Sequence, residues 1–174
     1  LQRVLGWLPG YPSRAAACAL LLVGLVAPLP AGARAYARGV ENINTMQVRL
    51  GHWVAAHTPP DTLIALNDIG ALTYFGERRV IDLMGLATPG ILPHRRAGPE
   101  AVLRYLARRC PEYLVIFPDW FPELAARADL FRPVTAVTLA ENLVAGAATM
   151  TVYETAWHRT RRAGPAACPA ASGG

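Results

Sequence analysis

At 174 residues the chain has room for one domain with appendages, since domains usually run to about 100–200 residues. Hydrophobic residues make up 53% and charged residues 17%, against about 25% charged in ordinary globular proteins, and the apolar excess gathers near the N-terminus. The net charge is +5 and lysine is absent, but the arginines are scattered without the basic, aromatic-interleaved stripe that follows a nucleic-acid backbone, so no nucleic-acid partner is expected.

Three cysteines are too few for a disulfide framework. Cys18 lies in the hydrophobic segment, Cys110 ends a predicted helix and Cys168 sits in the tail. A Cys110–Cys168 bridge is conceivable in an oxidising compartment, but a buried, reduced Cys110 is the favoured reading. No Cys/His spacing suits zinc, so no metal and no cofactor are expected. A chain opening on Leu1 reads as a fragment or a processed product.

Residues 15–33 carry no charge, with Arg3 and Arg14 before them and Arg34 and Arg38 after. Crossing the hydrocarbon core takes roughly 20 apolar residues, which this run just supplies. Pro28 and Pro30 suit a membrane boundary and would break a soluble helix. The segment reads first as a membrane span, with basic residues too evenly split to orient it. The second reading is a signal peptide with its apolar core at 20–27 and cleavage around Ala33-Arg34-Ala35; a buried soluble helix is the third.

An amphipathic helix is predicted over 40–58, with Met46, Gln47, Leu50, Val54 and His57 at helical spacing and Thr58-Pro59-Pro60 stopping it. Residues 63–66 form an aliphatic run expected to be a buried strand, and a short helix over 69–75 follows, with Asp68 as its N-cap and Gly76 closing it. A second strand is expected at 79–83, then a loop through Gly85, Pro89, Gly90 and Pro93. The next helix opens at Gly98-Pro99 and ends at Pro111, and a third strand follows at 113–117. A short helix at 120–128 and an antiparallel edge pair at 134–139 and 149–155 complete the pattern, and a disordered tail is expected after Arg159. Strand, helix, strand, helix, strand implies an α/β fold: a small mixed, mainly parallel sheet flanked by helices, preceded by one transmembrane helix. The domains are then a membrane segment over 1–38, an extracytoplasmic α/β domain over 39–158 and a tail over 159–174.

Ligands of open α/β sheets bind outside the carboxyl ends of strands, which makes Asn67, Asp68 and Asp82 the candidate binding residues, with simple capping as the alternative for both aspartates. The loop after the second strand brings His94, Arg95 and Arg96, which add basic groups for a phosphate, with solvated surface arginines as the alternative. Acidic groups for sugar hydroxyls and basic groups for a phosphate are expected to converge on one side. The serines are only Ser13 and Ser172, both outside the domain, so a serine hydrolase is excluded.

The runs Asn67-Asp68-Ile69-Gly70-Ala71, Tyr74-Phe75-Gly76 and Arg79-Val80-Ile81-Asp82-Leu83-Met84-Gly85-Leu86-Ala87-Thr88-Pro89 resemble the C-terminal soluble domain of bacterial polytopic membrane glycosyltransferases. These are the polyprenyl-phosphate-sugar mannosyltransferase-like proteins of the GT-C superfamily. Tyr113-Leu114-Val115 and Phe117-Pro118-Asp119-Trp120-Phe121-Pro122 extend the resemblance, which covers most of the chain from Asn42 to about Trp157. It implies that the hydrophobic segment is a last membrane helix and that the soluble domain lies outside the cytoplasm, on the periplasmic face of the cell membrane. It also implies that the catalytic acidic residue belongs to a membrane core this sequence does not include. No catalytic residue is carried over, and the chain by itself is expected to be inactive. The expected partners are membrane lipid, a polyprenyl-phosphate sugar or a glycan acceptor, and a partner membrane protein. The competing expectation is a membrane-anchored binding module without catalysis; a third is an exported α/β enzyme using Asp68 and Asp82.

The uncharged run makes a direct expectation. The expressed chain should stay with the membrane pellet through alkaline carbonate extraction, checked by immunoblot. Recovery in the soluble fraction with a new N-terminus near Tyr36 would instead identify a cleaved signal peptide.

Overall fold

The computed structural model describes residues 11–163, which fall in two compact units, 11–40 and 41–163. Helix α1 (Tyr11–Val26) is followed by helix α2 (Leu29–Ile43). Pro30 lies in the first turn of α2, where a missing N–H leaves no helical bond unmade. An 18-residue window here has a mean hydropathy of 2.0 and none of it is buried. Leu20, Leu21, Leu22, Val23, Leu25 and Val26 are all exposed, an arrangement that water penalises and hydrocarbon does not. The helix is long and apolar enough to cross a membrane, the form shared by an anchor and a signal sequence.

In the second unit the helical path passes through a π-helical turn (Asn44–Val48) into α3 (Arg49–His57). It ends where expected: Thr58 is extended, and its hydroxyl donates to the Val54 carbonyl at 2.7 Å. Arg78 completes that terminus, its guanidinium donating to the carbonyls of Ala55 at 2.8 Å and Thr58 at 2.7 Å. Cations favour a helix C-terminus, and Arg78 is committed to this one.

Strand β1 (Leu63–Leu66), helix α4 (Ala71–Gly76) and strand β2 (Arg79–Asp82) follow. Then come a 3-10 turn (Pro89–Ile91), the short helix α5 (Leu92–Arg96), α6 (Pro99–Arg109) and β3 (Tyr113–Ile116). A second 3-10 turn (Pro118–Trp120), α7 (Pro122–Ala125), the long strands β4 (Phe131–Thr138) and β5 (Thr149–Thr155) and α8 (Ala156–Ala163) complete the described chain.

The sheet order is β2-β1-β3-β5-β4. β1 pairs in parallel with β2 and β3, whereas β5 runs antiparallel to both β3 and β4. The sheet is therefore mixed in equal parts and not mainly parallel. The β4–β5 hairpin inserts its second strand against β3, so its two pairings offset the two parallel ones. Core residues fall on both faces. Met46, Leu50, Val54 and Leu72 cover one with Ile64, Leu66, Val115 and Val152. Val102, Leu106, Phe121 and Leu124 cover the other with Ala65, Ile81, Leu114 and Ile116. The crossover from β1 to β2 carries α4 on the first face, and the return to β3 carries α6 on the second. Right-handed crossovers running in opposite directions place their helices this way.

Local departures have local causes. Gly76 is the last residue of α4, and the left-handed residue after it is Glu77, with φ 51°. The glycine lies close to α3: a Cβ at Gly76 would sit 3.3 Å from Val54 Cγ1, a tight contact. The expected helix over 120–128 is only α7, preceded by the 3-10 turn. Helix α8 extends past the expected end of order at Arg159, anchored by Trp157, whose ring meets Phe131 edge-on at 5.9 Å. Cys110 is buried as expected, and the partner considered for it, Cys168, lies outside the described residues.

Helices α3 and α4 touch through Gly51, where a Cβ would fall 2.9 Å from Phe75 Cβ and 3.2 Å from the Leu72 carbonyl oxygen. Gly51→Ala should therefore lower stability by about 1–3 kcal/mol through overpacking. In an open helix the same change normally helps, by about 1 kcal/mol. Gly24→Ala in α1, where nothing lies within 4 Å, is the matched control and should leave the thermal midpoint unchanged or raised. Circular-dichroism melts of both variants in detergent check the opposite signs.

Candidate functional site

Strands β1 and β2 end together, Leu66 in register with Asp82, and β3 flanks β1 on its other side. The chain leaves β1 toward β2 and then crosses back to β3, so the direction of winding reverses between the carboxyl ends of β1 and β3. Open α/β sheets bind ligands at such a reversal.

Asn67, the first residue after β1, occupies that position. Its backbone N–H donates to the Val115 carbonyl at 3.3 Å, and its side-chain Oδ1 accepts from the Phe117 N–H at 3.2 Å. The side chain thus bridges β1 to β3, and its Nδ2 is buried without a partner. Asp68 is half-buried and does not cap α4, whose cap position is Gly70 with no side-chain bond. Its Oδ2 instead accepts from Gln47 Nε2 at 3.0 Å. Gln47 is 2% exposed and its Oε1 is buried without a partner. A Cβ added at Gly70 would meet only Asp68 Oδ1, at 3.8 Å, so space is open beside the carboxylate.

The π-helical turn explains how a glutamine comes to be there. It packs more residues into each turn than an α-helix, and the neighbours Met46 and Gln47 are both buried. Such turns are rare and cluster at functional sites. Gln47 was absent from the sequence-based candidates; the signal available for it was a lone amide on the Met46–Leu50–Val54 stripe.

The hairpin loop between β4 and β5 lies at the same edge, because β5 runs antiparallel to β3 with Thr151 opposite Ile116. Asn42 clamps it, donating from Nδ2 to the Glu141 carbonyl at 2.9 Å and accepting at Oδ1 from the Leu143 N–H at 2.7 Å. Trp120 Nε1 donates to the Gly146 carbonyl at 3.1 Å. A Cβ at Gly146 would fall 2.7 Å from that indole, so only glycine lets the loop lie so close.

The other sequence candidates go elsewhere. Asp82 is fully buried, and its two oxygens accept from the Met84 and Ala87 N–H groups, each at 2.7 Å. It organises the turn after β2, in which Gly85 has φ 84° and Leu92 occupies the space where a Cβ would be. His94 lies against the Tyr105 ring at 4.9 Å, and the Arg95 guanidinium sits 5.8 Å over the Phe121 ring. Tyr105 and Phe121 belong to the core on the α6 face, whereas Gln47 packs with the α3 face. Arg96 is exposed. Asp68 is therefore brought to Gln47, with Asn67 beside it in the chain, while His94 and Arg95 lie against the core on the other face of the sheet and the expected convergence of acidic and basic groups is not formed.

At the opposite edge, His158 lies between Glu112 (3.4 Å) and Glu154 (3.7 Å), all three largely buried, and Arg132 pairs with Glu154. These contacts tie α8 to the sheet. The resolved pKa shifts also lie away from the site. Hydrogen bonding to Arg127 holds the Asp129 carboxyl below its ordinary range, and burial raises the Tyr153 phenol against a smaller opposing effect of Thr151. Among the described residues no group of three potential ligands could hold a metal ion.

A family model described as a domain of unknown function, DUF8728, matches residues 32–163. No curated protein and no solved structure matches the chain.

Asp82 is fully buried and accepts from two part-buried N–H groups, and an N–H left without an acceptor costs up to about 1–3 kcal/mol. Asp82→Ala should lower unfolding stability by roughly 2–5 kcal/mol, with Asp82→Asn intermediate. Urea titrations followed by tryptophan fluorescence read this out; a stable Asp82→Ala protein would show that the turn does not depend on the carboxylate.

Proposed function

The chain belongs to the DUF8728 family, and we propose that it serves as the membrane-attached, extracytoplasmic accessory domain of a glycosyltransferase that draws on a lipid-linked sugar. Catalysis resides in other parts of that enzyme. The observation that carries this reading is where the glycosyltransferase-like segment sits. Asn67-Asp68-Ile69-Gly70 and the stretch 79–89 lie on adjacent parallel strands and the turns that follow them, at the sheet edge where α/β domains recognise ligands. The exposed apolar α1 supports attachment to a membrane.

A second reading, an anchored interaction module without any link to sugar transfer, draws support from Leu86, Trp120, Leu143 and Val144, large apolar side chains left exposed on the domain. One experiment separates the two. In-frame removal of codons 41–163 in the host, followed by mass spectrometry of lipid-linked sugars, should show a donor pool enlarged several-fold and a matching loss of the glycan it supplies. Unchanged pools and glycans would overturn the glycosyltransferase reading and leave the interaction module.

A further inference from the structure

We propose that the switch point at the carboxyl ends of β1 and β3 is a binding site for a neutral polyhydroxylated ligand, a hexose unit, held by Gln47, Asn67 and Asp68. The assignment begins with which amide atoms are free. Asp68 accepts and cannot donate as a carboxylate, so the Gln47 atom facing it is Nε2 and the free atom is Oε1. The Phe117 N–H requires an acceptor, so Asn67 turns Oδ1 toward it and Nδ2 is left over. The hydrogen-bond network fixes both orientations.

Gln47 is 2% exposed and Asn67 5% exposed, and both orphan atoms are buried. A buried polar atom without a partner is expensive, and native proteins rarely keep one unless something fills its valence. Gln47 bonds to Asp68 from the π-helical turn, and Asn67, the residue before Asp68, bonds to Phe117 at the switch point of the sheet. The space beside Asp68 at Gly70 is open.

The unfilled groups are an acceptor at Gln47 Oε1, a donor at Asn67 Nδ2 and the remaining acceptor capacity of Asp68. An oxyanion would meet the Asp68 carboxylate and the Gln47 carbonyl oxygen, and both would repel it. A simple cation would leave Asn67 Nδ2 unsatisfied. A hydroxyl group donates and accepts at once, and neighbouring hydroxyls on a sugar ring serve all three groups together. The position of His94 and Arg95 on the α6 face keeps any phosphate-binding role of theirs out of this site. The choice of a sugar over another polyol rests on the glycosyltransferase reading; the site itself rests on the geometry.

The test uses the full chain in lipid nanodiscs and saturation-transfer NMR with methyl α-hexosides of glucose, mannose and galactose, and with a short-chain prenyl-phosphoryl hexose. Saturation transfer to at least one hexose ring is expected. Transfer to the free hexosides marks the ring alone as sufficient; transfer confined to the lipid-linked form marks a donor head group, and either supports the site. Gln47→Met keeps the side chain's length and removes the orphan oxygen, so binding should weaken about tenfold or more while the melting temperature holds or rises. Asn67→Asp keeps the oxygen that serves Phe117 and removes the free donor, and should weaken binding comparably. Absence of transfer to every probe would leave the orphans to water and overturn the proposal. Binding that survives both variants would overturn it too, as would a Gln47→Met protein that loses stability and binding together. Failed hexose binding with enlarged donor pools sinks the site and leaves the glycosyltransferase reading; binding with unchanged pools does the reverse.

Discussion

The parallel half of this sheet is made of three strands of only four residues each. Ladders that short hold no sheet together by themselves, so the domain depends on covering both faces of β1 at once. Ile64 and Leu66 point into one layer and Ala65 into the other, alternating as a pleated strand must. Removing either helical layer would expose the central strand, and α3 packs closely on α4 through Gly51 and Gly76. Arg78 closes the end of α3 just before β2 begins, so one side chain joins the helical layer to the edge of the sheet.

Polar groups inside such a double-covered sheet are either fully paired or conspicuous. Asp82, Thr58, Arg78 and Asn42 are paired, each with backbone groups of a turn, helix end or loop that would otherwise be left open. Gln47 and Asn67 keep one atom each unpaired. Among the described residues Thr62 and Thr73 also keep a buried hydroxyl oxygen unpaired, so the two amides are set apart by their place near the switch point of the sheet. Asp68 and Asp82 differ too: they follow adjacent strands, yet one stabilises a turn and the other faces open space beside Gly70.

The antiparallel hairpin has its own part in the site. Because β5 runs against β3, the β4–β5 connection returns to the edge where β1 and β3 end. Asn42 and Trp120 then hold the loop there through backbone contacts.

The sequence by itself determined the elements whose signals are local. β1 and β5 lie at their expected residues, α6 begins at Pro99 as expected, and α3 stops before Thr58-Pro59-Pro60. Apolar runs, prolines and glycines act within a few residues of themselves, so they are legible without a fold. It also placed Asn67, Asp68 and Asp82 at one sheet edge, since parallel strands joined by crossovers must end together. Only the tertiary structure decided what each of these does. Whether Asp68 caps a helix depends on a glutamine 21 residues earlier, and whether Asn67 is satisfied depends on a backbone N–H 50 residues later. The equal mixture of parallel and antiparallel pairings likewise followed from which strand β5 chose as its second neighbour. Those outcomes are set by partners distant in the chain, and no local pattern encodes them.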